Sequence, residues 1–365
     1  MIKSCDSGSL PFIGDSVKFY EGATNFGSSN QSKSVDYFEK HVVQSFLDKL
    51  GAGVNVPNYP QFRDMSEMIL SQIDGIEKLN EGYIELNILS LKSNNSLPEV
   101  AVIEHNSQLI QEKIGKSIEV RVCITGPYTL ASFFPYRDGA IFSRLGNVVS
   151  QMMEKSLFSN KHGKTVLVSV DEPLFGLIDD PLIDFGSEGR ENLQKSWENI
   201  FSKTKSKNVQ TMMHLHSTTN PLFWDIPSLN VIDSHVDDPI IQQKNTKELL
   251  ESKDKFLKAS VAVNDFDTLI KGKIISDSHE KLTESVINEK IASIWTGIKH
   301  GTVNPKIFLE SEDTIKNRLS KVINRFGIER IQYVGPECGL KGYPTYENAL
   351  ECLRRVSRIA QSYKK

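Results

Sequence analysis

A short apolar run that ends in carboxylates is the most informative stretch of this sequence: Thr165-Val166-Leu167-Val168-Ser169-Val170, followed at once by Asp171-Glu172-Pro173. The β-branched residues in this run are typical of a buried strand. The charged residues and the proline end the run, so we expect the chain to leave the sheet at Asp171. A buried strand that ends in polar side chains predicts an α/β protein with functional groups at its strand ends.

Runs of the same kind recur along the chain and alternate with amphipathic stretches. The eight candidate strands lie near 5–10, 54–57, 118–124, 165–170, 209–213, 229–233, 257–263 and 331–334. Helical patterns fall at 34–50, with Ser34 as the expected N-cap, and at 140–158, 189–204, 240–253, 281–298, 312–326 and 345–362. Strands that alternate with helices predict a parallel sheet, and eight such repeats predict closure into a (β/α)8 TIM barrel with insertions.

Two stretches, 71–112 and 267–305, do not fit this alternation and are predicted to be insertions with small elements of their own. No linker rich in proline, glycine or serine divides the chain. We therefore expect one TIM-barrel domain over residues 1–365.

The composition is that of a soluble globular protein, with 39% hydrophobic and 24% charged residues in a chain of 365. The 43 basic and 46 acidic side chains give a net charge of −3, which argues against a nucleic-acid partner. The sequence has no apolar window of about 18 residues and no signal-like N-terminus, so we expect no membrane association. The four cysteines have no paired spacing, which favours reduced thiols and a cytoplasmic location.

Histidines and a cysteine follow the later strands, at points that a barrel brings to one mouth. His214 and His216 follow the fifth predicted strand, His235 follows the sixth, and Cys338 follows the eighth. Side chains alternate along a strand with period two, so the two histidines of the His-x-His pair are expected on one face. Three imidazoles and one thiolate suit a tetrahedral Zn²⁺. Because these ligands come from distant strands, the sequence predicts a catalytic zinc site.

Structural explanations exist for the same residues. A His-x-His pair alone is weak evidence for a metal, and Cys338 could be a small core residue, since free cysteines are commonly buried. Asp171-Glu172-Pro173 could start a helix, because carboxylates are favourable at a helix N-terminus and proline is common in its first turn. The convergence of these strand ends on one face favours the metal site over the structural explanations.

Four motifs together resemble the cobalamin-independent methionine synthase family, in a short form that has the catalytic barrel alone. They are Gly8-Ser9-Leu10-Pro11, Thr125-Gly126-Pro127, Val170-Asp171-Glu172-Pro173 and Pro336-Glu337-Cys338-Gly339-Leu340-Lys341, in the family's order and approximate spacing. The resemblance runs from residue 4 to about residue 360, with the two predicted insertions as gaps. The Asp-Glu-Pro motif is shared with the wider superfamily that includes uroporphyrinogen decarboxylase-like methyltransferases.

The resemblance implies zinc-dependent transfer of a methyl group to a small-molecule thiol, typically homocysteine. His214 and Cys338 match two of the family's zinc ligands, whereas His216 stands where the family has a cysteine. His235 lies at or near the family's glutamate ligand. Zinc with three neutral imidazoles and one thiolate is net positive, and the family's ligand set leaves it net negative. A more positive centre acidifies a bound thiol further but makes its sulfur a weaker nucleophile.

The resemblance also implies substrate contacts. Asp171 is expected to bind the amino group of an amino-acid substrate, and Ser7, Gly8 and Ser9 are expected to bind its carboxylate. Tyr59 stands where the family usually has a glutamate that contacts the amino group, so Tyr59 is the candidate contact at that position.

The methyl donor implied by the short form is a methylcobamide (corrinoid) protein or methyl-folate. Phe133, Phe134 and Tyr136 are candidates for an aromatic wall beside a flat donor. Two other functions stay open at the level of the sequence. One is a metal-dependent lyase, hydrolase or decarboxylase on the same barrel, and the other is a non-catalytic subunit that binds a corrinoid protein.

Overall fold

A curled parallel sheet organises the molecule, of which the computed structural model describes residues 2–27, 32–92, 96–278 and 280–363. The strands in these ranges are β1 (Lys3–Ser4), β2 (Ile73–Leu79), β3 (Gly82–Leu91), β4 (Ile118–Thr125), β5 (Gly163–Glu172), β6 (Gln210–Leu215), β7 (Val231–Asp233), β8 (Phe256–Ala262) and β9 (Ile331–Pro336). Seven of them form one sheet in the order β1-β9-β8-β7-β6-β5-β4, and every neighbouring pair is parallel. The predicted α/β class and parallel sheet are confirmed.

Helices flank the sheet and bury their apolar faces against it. They are α1 (Ser16–Asn25), α2 (Lys33–Gly51), α3 (Glu67–Leu70), α4 (Pro98–His105), α5 (Ser107–Ile114), α6 (Pro127–Ala131), α7 (Ile141–Lys155), α8 (Glu188–Lys205), α9 (Pro239–Gln242), α10 (Thr246–Ser252), α11 (Phe266–Asp277), α12 (Glu284–Lys299), α13 (Glu312–Phe326) and α14 (Tyr346–Ser362), with 3-10 helices at Pro181–Ile183, Pro221–Asp225, Pro305–Phe308 and Ile328–Arg330. In α14, Ala349, Leu353, Val356 and Ile359 recur at helical spacing and all are buried. Within the described residues, no helix is long and apolar enough to cross a membrane.

The observed sheet does not close into the predicted barrel of eight regular strands. The first predicted strand, 5–10, is not a regular strand, because the regular pairing ends just before it at β1. The second, 54–57, is not a regular strand either. The segment around 54–58 makes isolated parallel bridges instead. Val56 pairs with Cys5, and Asn58 pairs with Arg121. Pro57 and Pro60 lack the N–H that a ladder needs, which explains the irregular pairing. The seven-stranded sheet is compatible with a TIM-barrel-like fold but is not closed by a regular eighth strand.

Two helix predictions differ from the structure in detail. The helix predicted at 34–50 is α2, and its N-cap is Ser32, whose side chain accepts from Val35 N, so Ser34 was the wrong cap. The helix predicted at 240–253 is broken into α9 and α10, because Gln243 is extended with φ −63° and ψ 135°. The local sequence there offers an asparagine, which competes with helical hydrogen bonding.

The two predicted insertions contain regular elements of their own. Residues 71–112 include the antiparallel hairpin of β2 and β3, followed by α4 and most of α5. Residues 267–305 include nearly all of α11, all of α12 and the start of a 3-10 helix. Both stretches lie between strands of the parallel sheet and leave the order of that sheet unchanged.

The interior of the curled sheet is apolar near the amino ends of the strands and polar near their carboxyl ends. A small apolar cluster fills the first part, formed by Cys5, Val56, Leu167, Met212, Val231 and Tyr333. Two residues further along β5, β6 and β7, the inward positions are Ser169, His214 and Asp233, all of them buried. The inward positions thus change from apolar to polar or ionisable side chains toward the mouth.

Candidate metal centre at the strand ends

The four side chains predicted as metal ligands converge at the carboxyl ends of the strands. One ligand atom from each of His214, His216, His235 and Cys338 lies within 4.8 Å of those from the other three. His214 is buried, and the other three side chains are partly exposed. The cluster therefore joins β6 to the segments after β7 and β9, at a place that solvent reaches.

The register of the sheet explains this convergence. His214 on β6 pairs with Asp171 on β5 and with Asp233 on β7. His216 and His235 lie two residues beyond His214 and Asp233, so they turn to the same interior face. The ring centroids of His216 and His235 are 4.3 Å apart, and those of His214 and His216 are 5.4 Å apart.

Ring nitrogens without partners identify the atoms that face the centre of the cluster. Both ring nitrogens of His214 and Nε2 of His235 are buried without a hydrogen-bond partner. Nδ1 of His214 lies 3.1 Å from Asp233 Oδ2, which leaves its Nε2 for the cluster. Nε2 of His216 lies 3.5 Å from Cys338 Sγ. Buried polar atoms without partners are rare. Zinc bond lengths of about 2.3 Å to sulfur and about 2.0–2.1 Å to nitrogen place such ligands about 3.5 Å apart in a tetrahedron. The donor set therefore fits a zinc ion, and the distance from His216 Nε2 to Cys338 Sγ already has the tetrahedral value.

The electrostatics of the cluster favour a thiolate. Burial disfavours ionisation of the Cys338 thiol, but the surrounding imidazoles of His214, His216 and His235 outweigh it and hold its pKa well below the usual value. Burial also disfavours the charged form of His214, yet the carboxylate of Asp233 outweighs it and raises the pKa of His214 to about 10. These shifts favour the thiolate form of Cys338, which is the form that binds a metal.

Chelator-treated protein is expected to react with iodoacetamide at Cys338 and at no other cysteine. Burial raises the pKa of Cys5 to about 11 and that of Cys352 to about 12, and it raises the pKa of Cys123 as well. Between pH 8 and pH 6 the rate at an ordinary thiol falls roughly 50- to 100-fold, whereas the rate at Cys338 should change little because its thiolate persists. Peptide mapping by mass spectrometry measures which cysteines are labelled and the rate of labelling at each pH. Added zinc should protect Cys338. Equal labelling of all four thiols would contradict the thiolate assignment.

Buried charges lie beside the cluster in the same layer of the sheet. Asp233 Oδ1 accepts from Lys258 Nζ at 2.7 Å, and Asp233 Oδ2 lies 3.1 Å from His214 Nδ1. Arg121 Nη2 lies 3.8 Å from a carboxylate oxygen of Asp233 and 3.8 Å from one of Asp171. Burial opposes the charged form of Asp233, but Lys258 and His214 hold its pKa well below the usual range. Each buried charge in this layer thus has a partner of opposite sign.

Sequence reasoning missed Arg121, Asp233 and Lys258 as parts of the site. The signal was a charged residue within a run of otherwise apolar strand residues, as in 118–124 and 257–263. Period two also places Asp233 on the same face as His235, two residues later. Inward-pointing charges in a barrel strand need partners, so such positions can be read as members of an internal network.

The two carboxylates of the Asp-Glu-Pro motif point to different places. Asp171 is 4% exposed and pairs in register with His214, so it lies beside the cluster. Glu172 accepts from Tyr128 N, Thr129 N and Trp197 Nε1 at 3.0, 2.7 and 2.8 Å. Burial raises the pKa of Glu172 to about 7, although these hydrogen bonds oppose the shift. Glu172 therefore anchors α6 and α8 and does not face the cluster.

The loop after β1, predicted to bind a substrate carboxylate, packs against the loop that carries the cluster's cysteine. Ser9 O accepts from Leu340 N at 2.9 Å. Gly8 has φ +112°, and a Cβ there would lie 2.6 Å from Asn58 Nδ2, so the turn requires glycine. The hydroxyl of Ser7 is buried without a hydrogen-bond partner. The loop thus lies next to the cluster and has one free polar group.

Tyr59, predicted to contact substrate, is enclosed by the protein. The side chain is fully buried, and its hydroxyl donates to Cys123 O at 2.9 Å and accepts from Gln61 Nε2 at 3.1 Å. Its polar group is therefore satisfied within the interior. A role of Tyr59 in substrate binding stays a prediction.

Comparison with known proteins relates this chain to others by fold. No protein-family model matches the sequence, and no curated protein matches it. Among solved structures, a B12-independent methionine synthase from Shewanella sp. W3-18-1, in complex with selenomethionine, has a TM-score of 0.61 at 12% identity, over 99% of this chain and 97% of that one. A structure from Listeria monocytogenes, described as a proposed vitamin-B12-independent methionine synthase, has a TM-score of 0.57 at 13% identity, over 100% and 99%. A methyltransferase from Methanosarcina mazei has a TM-score of 0.52 at 12% identity, over 98% and 94%. At these identities the likeness shows a shared fold.

Proposed function

We propose that this protein is a zinc-dependent methyltransferase that moves a methyl group onto a thiol, with homocysteine as the first candidate acceptor. The observation that carries the proposal is the convergence of three imidazoles and a thiolate of low pKa at the mouth of the sheet. We assign His214, His216, His235 and Cys338 as the zinc ligands. The shared fold with methyltransferases supports this choice of reaction, and the ligand set is the stronger argument because function resides in the site.

The reaction requires a thiolate at neutral pH and a methyl group held in line with its sulfur. Bound zinc would supply the first requirement by lowering the pKa of the acceptor thiol. In the transfer, a sulfur–carbon bond forms, the bond between the methyl group and the donor breaks, and the thiol proton leaves to solvent. The protein's own side chains then need only bind and orient the two substrates, which is a large contribution to rate.

Asp171 is the residue we assign to orient the amino group of the acceptor. Its Oδ1 accepts from Ser169 Oγ at 2.6 Å and lies 3.8 Å from Arg121 Nη2, so the carboxylate is held in one position beside His214. The free hydroxyl of Ser7 is a candidate donor to the acceptor's carboxylate, with the backbone of Gly8 and Ser9 around it. These assignments predict an α-amino-acid thiol rather than a simple alkane thiol.

Exposed apolar side chains on the loops after β4 and β5 support a large methyl donor. Phe133 and Tyr136 are 38% and 81% exposed, and Ile178 and Phe185 are 71% and 95% exposed. Phe134, predicted to join the aromatic wall, is buried. Apolar side chains that face solvent near a site are typical of a binding surface. We propose that the donor is a methylcobamide protein or methyl-folate.

A second candidate is a metal-binding protein without turnover. Four protein ligands are typical of a structural zinc site, whereas a catalytic zinc usually keeps one position for water or substrate. In this case the apolar loops would hold a corrinoid protein in a stable complex, and no methyl group would be transferred.

An assay of methyl transfer separates the two candidates. Purified protein, with and without bound zinc, is incubated with homocysteine and either a methylcobamide or methyl-folate, and methionine is measured by mass spectrometry. Methionine that appears only with the zinc-loaded protein supports the methyltransferase. Stoichiometric zinc without product from either donor, together with a stable complex with a corrinoid protein, favours the second candidate. A protein that binds no zinc rules out both.

A further inference from the structure

Glu337 is a buried carboxylate that has no fixed cation beside it. Its side chain is 8% exposed, and in the described part of the chain no lysine or arginine nitrogen lies within ion-pair distance of it. The imidazole of His235 faces it instead, with 3.9 Å between Glu337 Oε2 and His235 Nδ1, which is within ion-pair distance but longer than a hydrogen bond. A buried carboxylate without a compensating charge is costly. We therefore expect a cation near the carboxylate of Glu337, on the side where His235 and Cys338 lie.

The backbone holds Glu337 behind the ligands. Oε2 accepts from Val236 N at 3.0 Å, and Oε1 accepts from Asn264 N at 2.9 Å. The amide of Glu337 itself donates to Ala262 O at 2.9 Å. These bonds join the chain segments after β7 and β8 to the end of β9. Because both oxygens are already engaged, the carboxylate is placed to act through His235 rather than as a ligand.

We propose that Glu337 is a positioning residue of the metal centre, which orients His235 through Nδ1 and offsets the positive charge of the bound ion. The inference rests on the proposed zinc site. When Nε2 of a histidine binds a metal, Nδ1 carries the proton and needs an acceptor, which is commonly a carboxylate. The candidate ligand set contains a single thiolate, so a divalent ion in it keeps a net positive charge, and Glu337 supplies the missing negative charge one step behind the ligands.

Asp233 lies behind His214 as Glu337 lies behind His235, but the charge of Asp233 is already paired with that of Lys258. Asp233 Oδ2 lies 3.1 Å from His214 Nδ1, while its Oδ1 accepts from Lys258 Nζ at 2.7 Å. Removing the charge of Asp233 would leave Lys258 buried and unpaired, which would affect folding. Glu337 has no such partner in the described residues, so a variant of Glu337 reports on the metal centre more directly.

The primary test is the zinc affinity of Glu337→Gln, measured by competition with a chromogenic chelator. Loss of an orienting carboxylate commonly weakens metal binding about 10- to 100-fold, and we expect a loss in that range with a shifted visible spectrum of the cobalt-substituted protein. Glu172→Gln is the matched control, because Glu172 is also a buried strand-end glutamate that accepts two backbone N–H groups but faces Trp197. It should keep the affinity and the cobalt spectrum of the wild type.

A double-variant comparison distinguishes positioning from general support of the fold. Both backgrounds are titrated with added zinc, because a variant that lacks one ligand is expected to lose the ion on purification. If Glu337 acts through His235, Glu337→Gln should weaken binding clearly less in a His235→Ala background than in the wild type, leaving only the effect of its charge. In a His216→Ala background, it should still weaken binding about 10- to 100-fold, because His235 is present. Equal losses in both backgrounds would overturn the inference.

Glu337→Asp is the second variant, since it keeps the charge and moves it back by one methylene group. It should retain more zinc affinity than Glu337→Gln, and it serves as the test if the glutamine variant does not fold. Wild-type affinity in Glu337→Gln, or in Glu337→Asp if the glutamine variant does not fold, would overturn the role of Glu337 and leave the proposed function intact. A wild-type protein that binds no zinc would overturn both, so the two failures are distinguishable.

Discussion

Cys338→Ala is expected to reduce the zinc content from about one ion per chain to none and to lower methyl transfer by about 100- to 1,000-fold. Cys338 is the single thiolate of the cluster, and its Sγ lies 3.5 Å from His216 Nε2, so its removal takes away the anionic ligand. His216→Ala is expected to have the same effect because it removes the neighbouring ligand. Metal analysis of the purified variants and the methionine assay measure the two effects separately.

Matched controls exist for both substitutions. Cys352→Ser changes a buried cysteine whose Sγ accepts from Tyr343 OH at 3.6 Å, away from the cluster. His300→Ala changes an exposed histidine at the end of α12. Both controls should keep zinc and activity. Zinc retained in Cys338→Ala and in His216→Ala would remove the metal centre from the proposed function and leave the fold alone.

Arg121→Met is expected to lower the free energy of unfolding of the metal-free protein by about 3–5 kcal/mol, the usual cost of breaking a buried ion pair. Arg121 is fully buried, donates to Asp6 O at 3.0 Å and to Ser169 Oγ at 2.9 Å, and lies 3.8 Å from the carboxylates of Asp171 and Asp233. Methionine fills a similar volume but leaves those two carboxylates with one cation fewer. Denaturant unfolding in the presence of a chelator measures the change without a contribution from bound metal.

The control for this experiment is a surface pair. Lys195 lies 3.4 Å from Glu191 in α8, and the two side chains are 72% and 65% exposed. Lys195→Met should change the free energy of unfolding by less than about 1 kcal/mol, since solvent screens exposed pairs. A change as small as this in Arg121→Met would show that the buried layer is not held together by its arginine.

The convergence of the four candidate ligands was predictable because strand ends of a parallel sheet meet at one edge. His214 and His216 differ by two positions, and period two is enough to place them on one face. The closeness of His235 and Cys338 followed from the expected fold, because their strands end at the same mouth. All four prove to lie within 4.8 Å of one another, whereas the sheet that positions them has seven regular strands and not the predicted eight.

The partners of the ligands were not predictable in the same way. Glu337 stands next to Cys338 in the sequence, but nothing local indicates that its oxygens meet Val236 N and Asn264 N from two other segments. Likewise, a lysine at position 258 in an apolar run signals an inward charge without revealing that Asp233 is its acceptor. Such pairs depend on the register between strands that are far apart in the chain.

The local pattern of the chain was sufficient to predict the alternation of strands and helices, the chemical types at the strand ends and the set of candidate ligands. These features depend on local periodicity and on residue chemistry, which are written along the chain. Three features became known from the folded structure: which carboxylate lies behind which histidine, the enclosure of Tyr59 by Cys123 and Gln61, and the bridges that 54–57 makes without forming a strand. Those outcomes require the relative placement of distant segments, which no local pattern contains.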